Sequence, residues 1–210
     1  MKTLLSIVAI CISIHFTNAQ SFTELAFQAC KTTVDTSESI ERLKPCQETF
    51  SRLLKGSPQD SMVIFYYMLT NIKLSYLTLP NDRFTAKMYL SDTKSTYLKL
   101  DSAFQFGIES KMLWKFGTCI ALKSINGDVD EEAILENEIN EIYLKNKQNA
   151  RANLLYAFYN FHFKRNQRAK ITEQQLITSI ELFKREEALK PSICWGQSLA
   201  KKLLRDLKSK

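Results

Sequence analysis

The sequence predicts an all-α protein, built as an array of helical hairpins with a capping helix at its C-terminal end. Three observations indicate this. The 210 residues are 45% hydrophobic and 24% charged, a globular composition with enough apolar material for a core. The chain has only five Gly and four Pro, whereas all-β folds use many of these residues in turns. Apolar residues recur at helical spacing, and no run alternates as a strand would.

The N-terminal end has the pattern of a secretory signal peptide over residues 1–19. Lys2 supplies a positive charge, residues 4–14 form an apolar run, and Ala19 ends a stretch of small and polar residues. The apolar run is about 11 residues, well short of the roughly 20 that a bilayer span needs. We therefore expect cleavage after Ala19, a single domain over 20–210, and export to a periplasm or the medium without a stable membrane anchor.

The first helices are indicated by apolar spacing and by capping residues. Asp35 with Glu38 forms a capping signal for the second helix, and Gly56–Pro58 ends it. Met62–Leu79 is strongly apolar and is predicted to be a third helix. Asp82 then caps the fourth. A short first helix is indicated by four apolar positions: Phe22, Leu25, Ala26 and Ala29.

The second half of the chain continues in the same way. The fifth helix is predicted from about Ala103 to Leu122, and Asp128 begins an amphipathic sixth helix. An aromatic seventh helix covers Leu154–Phe163, and Thr172 is predicted to cap the eighth. The last helix, Gly196–Leu207, is expected to pack as the cap of the array, since such arrays need a terminal element with a polar outer face.

Strongly apolar helices, called A helices here, alternate with more amphipathic B helices. The A helices begin near Ser61, Ala103 and Ala150. Each is followed by a B helix, which gives an A-then-B pattern three times at spacings of roughly 42 and 47 residues.

Three short stretches match a known repeat. Phe106-Gly107 resembles the Leu-Gly pair of the tetratricopeptide consensus, and Tyr156-Ala157 is similar to it in the third A helix. Glu187–Pro191 resembles the alanine-then-proline end of a B helix. On these residues the chain resembles exported bacterial tetratricopeptide-repeat proteins, although the repeats here are longer than the usual length of about 34 residues. The resemblance implies an α-solenoid scaffold without a catalytic motif, whose A helices line a concave surface that binds peptides.

Polar residues on the A helices are the candidate interaction face. Four of them recur at i, i+3, i+7 and i+11 on the third A helix and so share one side of it. The predicted function is binding of a protein or peptide partner, and the alternative reading of these residues is a solvated helix face. A different function would be that of a secreted carrier whose aromatic residues enclose an apolar small molecule. The candidates are Tyr67, Asn71, Glu109, Asn153, Tyr156, Asn160 and Lys164.

Enzymatic, cofactor-binding and nucleic-acid-binding functions are not indicated. The sequence has no glycine-rich phosphate loop. Of the two His, one lies in the leader, and the other, His162, has no flanking motif of a catalytic triad. The net charge of +7 comes from Lys and Arg scattered among Asp and Glu, rather than from a basic stripe with interleaved aromatic residues. We expect no metal, no cofactor and no nucleic-acid partner.

Four cysteines remain after the expected cleavage, and four cysteines allow three full pairings. Export would permit disulfides. Cys30 and Cys46 lie on adjacent predicted helices and are the closest pair in sequence, which makes them the candidate disulfide. Free buried thiols are the alternative, so the sequence leaves the pairing open.

Overall fold

The computed structural model describes residues 23–103, 107–125, 129–189 and 195–209, and within them the chain forms nine α-helices and no strand. This confirms the all-α prediction for the described residues. The predicted signal peptide and the turn at 126–128 lie outside them. The helices are α1 over 23–36, α2 Ile40–Gly56, α3 Ser61–Thr78, α4 Arg83–Ala103, α5 Gly107–Ile125, α6 Val129–Lys145, α7 Ala150–Phe163, α8 Arg165–Leu189 and α9 Gln197–Lys208.

The helices pack in a repeating order. The A helices are α3, α5 and α7, and each packs against the B helix that follows it, α4, α6 and α8. Each A helix also packs against the next one, since α3 contacts α5 and α5 contacts α7. A further hairpin, formed by α1 and α2, precedes them. Phe27 of α1 packs edge-to-face against Phe50 of α2 and against Tyr66 of α3, with 5.8 Å between ring centroids in both pairs.

The A helices form a central layer. α3 buries residues on all its sides, and in α7 every residue from Ala150 to Asn160 is buried except Tyr156. A helix that is apolar all round has to be covered all round, which agrees with the high apolar content of both segments. The B helices α4 and α6 instead expose apolar side chains such as Phe84 and Ile134.

The C-terminal segment packs against α3 and α5 through Trp195 and against α7 and α8 through α9. Trp195 packs against Phe65 of α3, with ring centroids 6.4 Å apart, and against Phe116 of α5 at 5.6 Å. α9 contacts α8 and α7, and Lys202 Nζ lies 5.5 Å from the ring centroid of Tyr76 on α3. The predicted packing of the last helix on its hairpin is therefore present, and α9 also reaches back to the first A helix.

Ser198 carries these contacts as far as the first hairpin. Its hydroxyl donates to Glu38 Oε1 at 2.7 Å, in the segment between α1 and α2. The start of α9 therefore contacts the segment between α1 and α2, a contact that no local sequence pattern could have predicted.

Two predicted caps are wrong, and one is confirmed. Asp35 lies in the last turn of α1, where it accepts from Tyr66, and Ser39 is the N-cap of α2. Thr172 lies inside α8 with its hydroxyl bonded to a backbone carbonyl one turn earlier. Asp82 does cap α4, since its carboxylate accepts from the Thr85 backbone amide at 3.0 Å.

Two helix boundaries also differ from expectation. Ala103 ends α4 rather than beginning the next helix, and α5 begins at Gly107, whose φ of 52° lies in the left-handed region that favours glycine. α8 begins before Thr172, at Arg165, and Arg168 interrupts it with φ −127° and ψ 24°. Apolar spacing places a helix well, but it does not report a kink.

Candidate functional site: the A-helix face beneath α9

The side of α3, α5 and α7 that contacts Trp195 and α9 is called the A-helix face below. Three of the predicted interaction residues are buried within the layer, because Asn71, Asn153 and Asn160 are each at most 1% exposed. Asn153 donates to two backbone carbonyl groups of the α6–α7 turn, at 2.8 and 2.9 Å. Asn160 accepts from Arg168 Nη1 at 3.2 Å and so supports the kink in α8. Neither the nitrogen nor the oxygen of the Asn71 side-chain amide has a hydrogen-bond partner among the described atoms.

Two further candidates face the B helix α6 rather than the A-helix face. The rings of Tyr156 and Tyr143 stack at 4.4 Å. Lys164 Nζ lies 2.8 Å from a carboxylate oxygen of Glu132 and 3.5 Å from one of Glu136. Of the four residues that the sequence placed on one side of α7, Asn153 therefore bonds to the α6–α7 turn and the other three contact α6 or α8. Tyr67 of α3 is half-buried against the core.

Arg151 is the central charged residue of the A-helix face, and it was not among the interaction residues predicted from the sequence. The side chain is 4% exposed. Its Nη1 lies 2.7 Å from Glu186 Oε2 on α8, and its Nε lies 3.2 Å from Glu109 Oε2 on α5. Buried charges are expensive unless they are paired, so a single arginine within an apolar helix is a signal that could have marked this position.

Aromatic rings enclose the Arg151 guanidinium. Its carbon lies 5.2 Å from the ring centroid of Phe183 and 5.6 Å from that of Trp195. Cation–π contacts of this kind strengthen when water is excluded. Arg151 therefore connects α5, α7, α8 and the segment that leads into α9.

Glu109, the remaining predicted candidate, belongs to this cluster. Its Oε1 accepts from Asn149 Nδ2 at 3.2 Å. Burial raises the pKa of Glu109, and the opposing effects of Arg151 and Asn149 do not cancel the rise. Glu109 does lie on an A helix as predicted, but it serves as a counter-ion for Arg151.

A second polar cluster joins the first hairpin to α3 and α9. Lys73 Nζ lies 3.1 Å from Glu38 Oε1 and donates to the Val34 carbonyl at 2.8 Å. The Tyr66 hydroxyl donates to Asp35 Oδ2 at 3.3 Å. Asp35 is 9% exposed, its Oδ1 has no partner among the described atoms, and burial raises its pKa to about 6.

An acidic cavity opens beside Asp35, at the N-terminal end of α9. Its volume is about 270 Å³, and its lining includes Glu186, Glu187 and Ser198. Lys201 is the one cation among its described lining residues. The C-terminal segment contacts both charged clusters, through Trp195 beside Arg151 and through Ser198 beside Glu38, and Ser198 also lines the cavity.

The two candidate disulfide cysteines lie against each other. Burial, followed by a hydrogen bond with Cys30, raises the pKa of the Cys46 thiol to about 12. Both are free thiols in this structure, as is the buried Cys119 of α5, while Cys194 lies outside the described residues. The two thiols thus lie next to each other between α1 and α2, and their pairing stays a prediction.

Among the described residues, no three His, Cys, Asp or Glu side chains lie close enough to hold a metal ion. None of the described helices has both the length and the hydropathy to cross a bilayer.

No protein-family model, curated protein or solved structure matches this chain. Its function therefore has to be inferred from its own residues and their geometry.

Proposed function

We propose that this is an exported, non-enzymatic interaction protein. In this proposal it is a tetratricopeptide-like array of helical hairpins whose A-helix face binds a helical or extended segment of a partner protein. The supporting observation is that α9, an amphipathic helix, already lies on that face. A surface that holds one amphipathic helix has the shape and the apolar contacts to hold another.

The contacts of α9 are of a kind that a partner could supply. Ala200 and Leu203, three positions apart, are buried where α9 packs against α8 and α7, as anchors of a helix in a groove would be. Polar contacts surround them: Ser198 bonds to Glu38, and Lys208 Nζ lies 3.2 Å from Glu173 Oε1. A partner helix with two small or leucine anchors and basic flanks would make the same contacts.

Competition with a peptide tests this proposal. A labelled peptide of residues 196–209 is titrated with the full-length mature chain, and binding is followed by fluorescence anisotropy. Leu203→Ser weakens the docking of the chain's own α9, because a buried leucine is lost from its apolar side. The variant should bind the peptide at least tenfold more tightly than the wild type does.

Arg205→Ser is the matched control, since Arg205 is exposed in the same turn of α9. It should bind the peptide as the wild type does. If Leu203→Ser remains folded and binds no peptide, the A-helix face is not a site for an added helix.

Native mass spectrometry of the mature protein from its exporting cells then shows whether a partner co-purifies with it. A co-purifying protein or peptide that competes with the 196–209 peptide supports the proposal. The same spectrum tests cleavage of the predicted signal peptide, because the measured mass should be that of a chain that begins at Gln20.

A second function, transport of an apolar small molecule, has one observation in its favour. A groove of about 1190 Å³ lies between α1, the end of α2 and the start of α3. Its lining includes Phe27, Leu53, Met62 and Val63, and ligand sites are mostly apolar and concave. A bound apolar molecule in the native mass spectrum would favour this function over the interaction protein.

A further inference from the structure

Two adjoining cavities lie at the C-terminal end of α9, opposite the acidic cavity. Their volumes are about 480 and 420 Å³, and both are lined by Lys123, His162 and Asp206. We call them together the basic cleft. Sites for small molecules have volumes of roughly 300–1,000 Å³, so each cavity has the size of a ligand site.

The charge of the basic cleft is strongly one-sided. Four cationic residues line it: Arg83, Lys123, Arg165 and Lys202. Asp206 is the one carboxylate among the described lining residues. The cavity at the other end of α9 has the opposite balance, so the ligand that fits the basic cleft is an anion.

Two of the cations, Arg165 and Lys202, are held by neutral groups. The Arg165 guanidinium lies 4.7 Å from the ring centroid of Phe161, and its Nη2 donates to the Asp206 backbone carbonyl at 3.1 Å. Lys202 lies over the ring of Tyr76. Among the described residues, neither Arg165 nor Lys202 forms an ion pair, and both are oriented by neutral partners.

His162 lies beside Lys123, at the boundary between the two cavities. Its Nδ1 lies 2.7 Å from Lys123 Nζ, and an ammonium group can only donate, so Nδ1 accepts and the ring proton lies on Nε2. That nitrogen has no hydrogen-bond partner among the described atoms. Burial, together with the charges of Lys123 and Arg165, lowers the pKa of His162 to about 3. His162 is therefore a neutral, buried ring whose Nδ1 accepts from Lys123.

One wall of the cleft is apolar. Leu77, Leu79 and Pro80, at the end of α3, line the same cavity as Arg83 and Lys202. A ligand with both an anionic and an apolar part would use both sides of this cavity.

We propose that the basic cleft binds an organic phosphate. Its phosphate group would lie among Arg83, Lys123 and Lys202, and its apolar part would lie against Leu77 and Leu79 of the same cavity. Charge-assisted hydrogen bonds from Lys and Arg are among the strongest that phosphate oxygens accept. This site is separate from the A-helix anchors Ala200 and Leu203, so it does not depend on the proposed interaction function.

Calorimetric titration of the full-length mature chain at low salt tests the site. Phenyl phosphate should bind more tightly than inorganic phosphate, and phenol should not bind, because the charge provides most of the affinity. Lys202→Gln and Arg83→Gln should each weaken phenyl phosphate binding, and together they should weaken it at least tenfold. Arg83 is exposed, so its variant leaves the fold intact.

Lys184→Gln is the control, since Lys184 is exposed on α8 and the substitution removes the same charge elsewhere. It should bind phenyl phosphate as the wild type does. Vesicles of phosphatidylcholine with and without phosphatidic acid distinguish a lipid headgroup from a soluble phosphate. Vesicle binding that Lys202→Gln abolishes would locate a headgroup in the same cleft.

The competing explanation of the cations is structural, because Arg165 packs over the ring of Phe161 and Lys202 over that of Tyr76, which stabilises contacts between helices. In that case Lys202→Gln lowers the melting temperature, and none of the probes binds to the wild type. That result overturns the proposal. Binding that is unchanged in the Arg83→Gln, Lys202→Gln double variant overturns it as well.

Discussion

Nη1 of Arg151, on α7, lies 2.7 Å from Oε2 of Glu186, on α8. The arginine side chain is 4% exposed, whereas that of Glu186 is 38% exposed. The pair therefore lies at the boundary between the core and solvent, and the rings of Phe183 and Trp195 flank it. Because Trp195 leads into α9, this ion pair also supports the attachment of the C-terminal segment.

Replacement of Arg151 by Met should destabilise the protein. It leaves Glu109 and Glu186 without their shared cation, and breaking a fully buried pair costs about 3–5 kcal/mol. The partial exposure of Glu186 reduces this figure, so we expect a loss of about 2–3 kcal/mol in the free energy of unfolding. Urea denaturation measures it.

The control for Arg151 is an exposed pair on α6. Lys145 and Glu141 are 70% and 64% exposed, so Glu141→Gln should leave the urea midpoint unchanged. A midpoint for Arg151→Met equal to that of the wild type would show that the ion pair contributes nothing to stability.

Gly196 should not tolerate a side chain. Its φ is 106°, and a Cβ atom there would lie 2.8 Å from Phe183 Cζ and 3.0 Å from Leu154 Cδ2. Gly196→Ala therefore strains the backbone and displaces core atoms, and we expect a loss of about 1–3 kcal/mol together with weaker docking of α9. Thermal denaturation and proteolysis of the C-terminal end measure the two effects.

Gly56 provides the matched control for Gly196. It is the last residue of α2, and a Cβ atom there meets nothing within 4 Å. Gly56→Ala should leave the melting temperature unchanged or raise it slightly. Equal effects of the two substitutions would contradict the placement of Gly196.

Asp35→Asn should stabilise the protein at neutral pH. Burial raises the pKa of the Asp35 carboxyl from 3.8 to about 6, although the Tyr66 hydroxyl and the charges of Lys31 and Lys73 act in the opposite direction. Between these two values the folded chain holds a proton that the unfolded chain has released. The stability that the neutral carboxyl contributes is therefore present at low pH and is lost as the pH rises through about 6.

Urea denaturation of wild type and Asp35→Asn from pH 4 to pH 8 measures this effect. The advantage of the variant should grow by up to about 1.4 kcal/mol per pH unit between pH 4 and 6, and it should then level off. The difference between the two proteins removes the contribution of other groups, such as His162. An advantage that is constant over the whole range would mean that Asp35 is ionised throughout.

Cys30 and Cys46 should form a disulfide in protein recovered from an exporting cell without reductant. The two thiols lose two hydrogen atoms to an oxidant of the compartment, so the intact mass should fall by about two daltons, and the bond should add about 3 kcal/mol by closing a short loop. Peptide mapping under non-reducing conditions identifies the pair. Cys119→Ser is the control and should keep the mass loss, whereas a fully reduced wild type would support free buried thiols.

The helices were largely predictable because their signals are local. Apolar spacing placed the buried α3 and α7, and Asp82 was identified as a cap, because both depend on neighbouring residues. Asp35 carries the same local signal as a cap, but Tyr66, 31 positions away, provides its partner. A cap and a long-range hydrogen bond use the same carboxylate, and only the folded chain decides between them.

The sequence by itself determined the all-α class and the strongly apolar character of α3 and α7. These follow from the period and the side chains of short segments. Only the tertiary structure decided that Arg151 pairs with Glu109 and Glu186, and that α9 packs against α7 and α8. It also brought Lys123, His162 and Lys202 together around one cleft. The physical reason is that burial and charge pairing depend on distances between helices far apart in sequence, and no local pattern contains those distances.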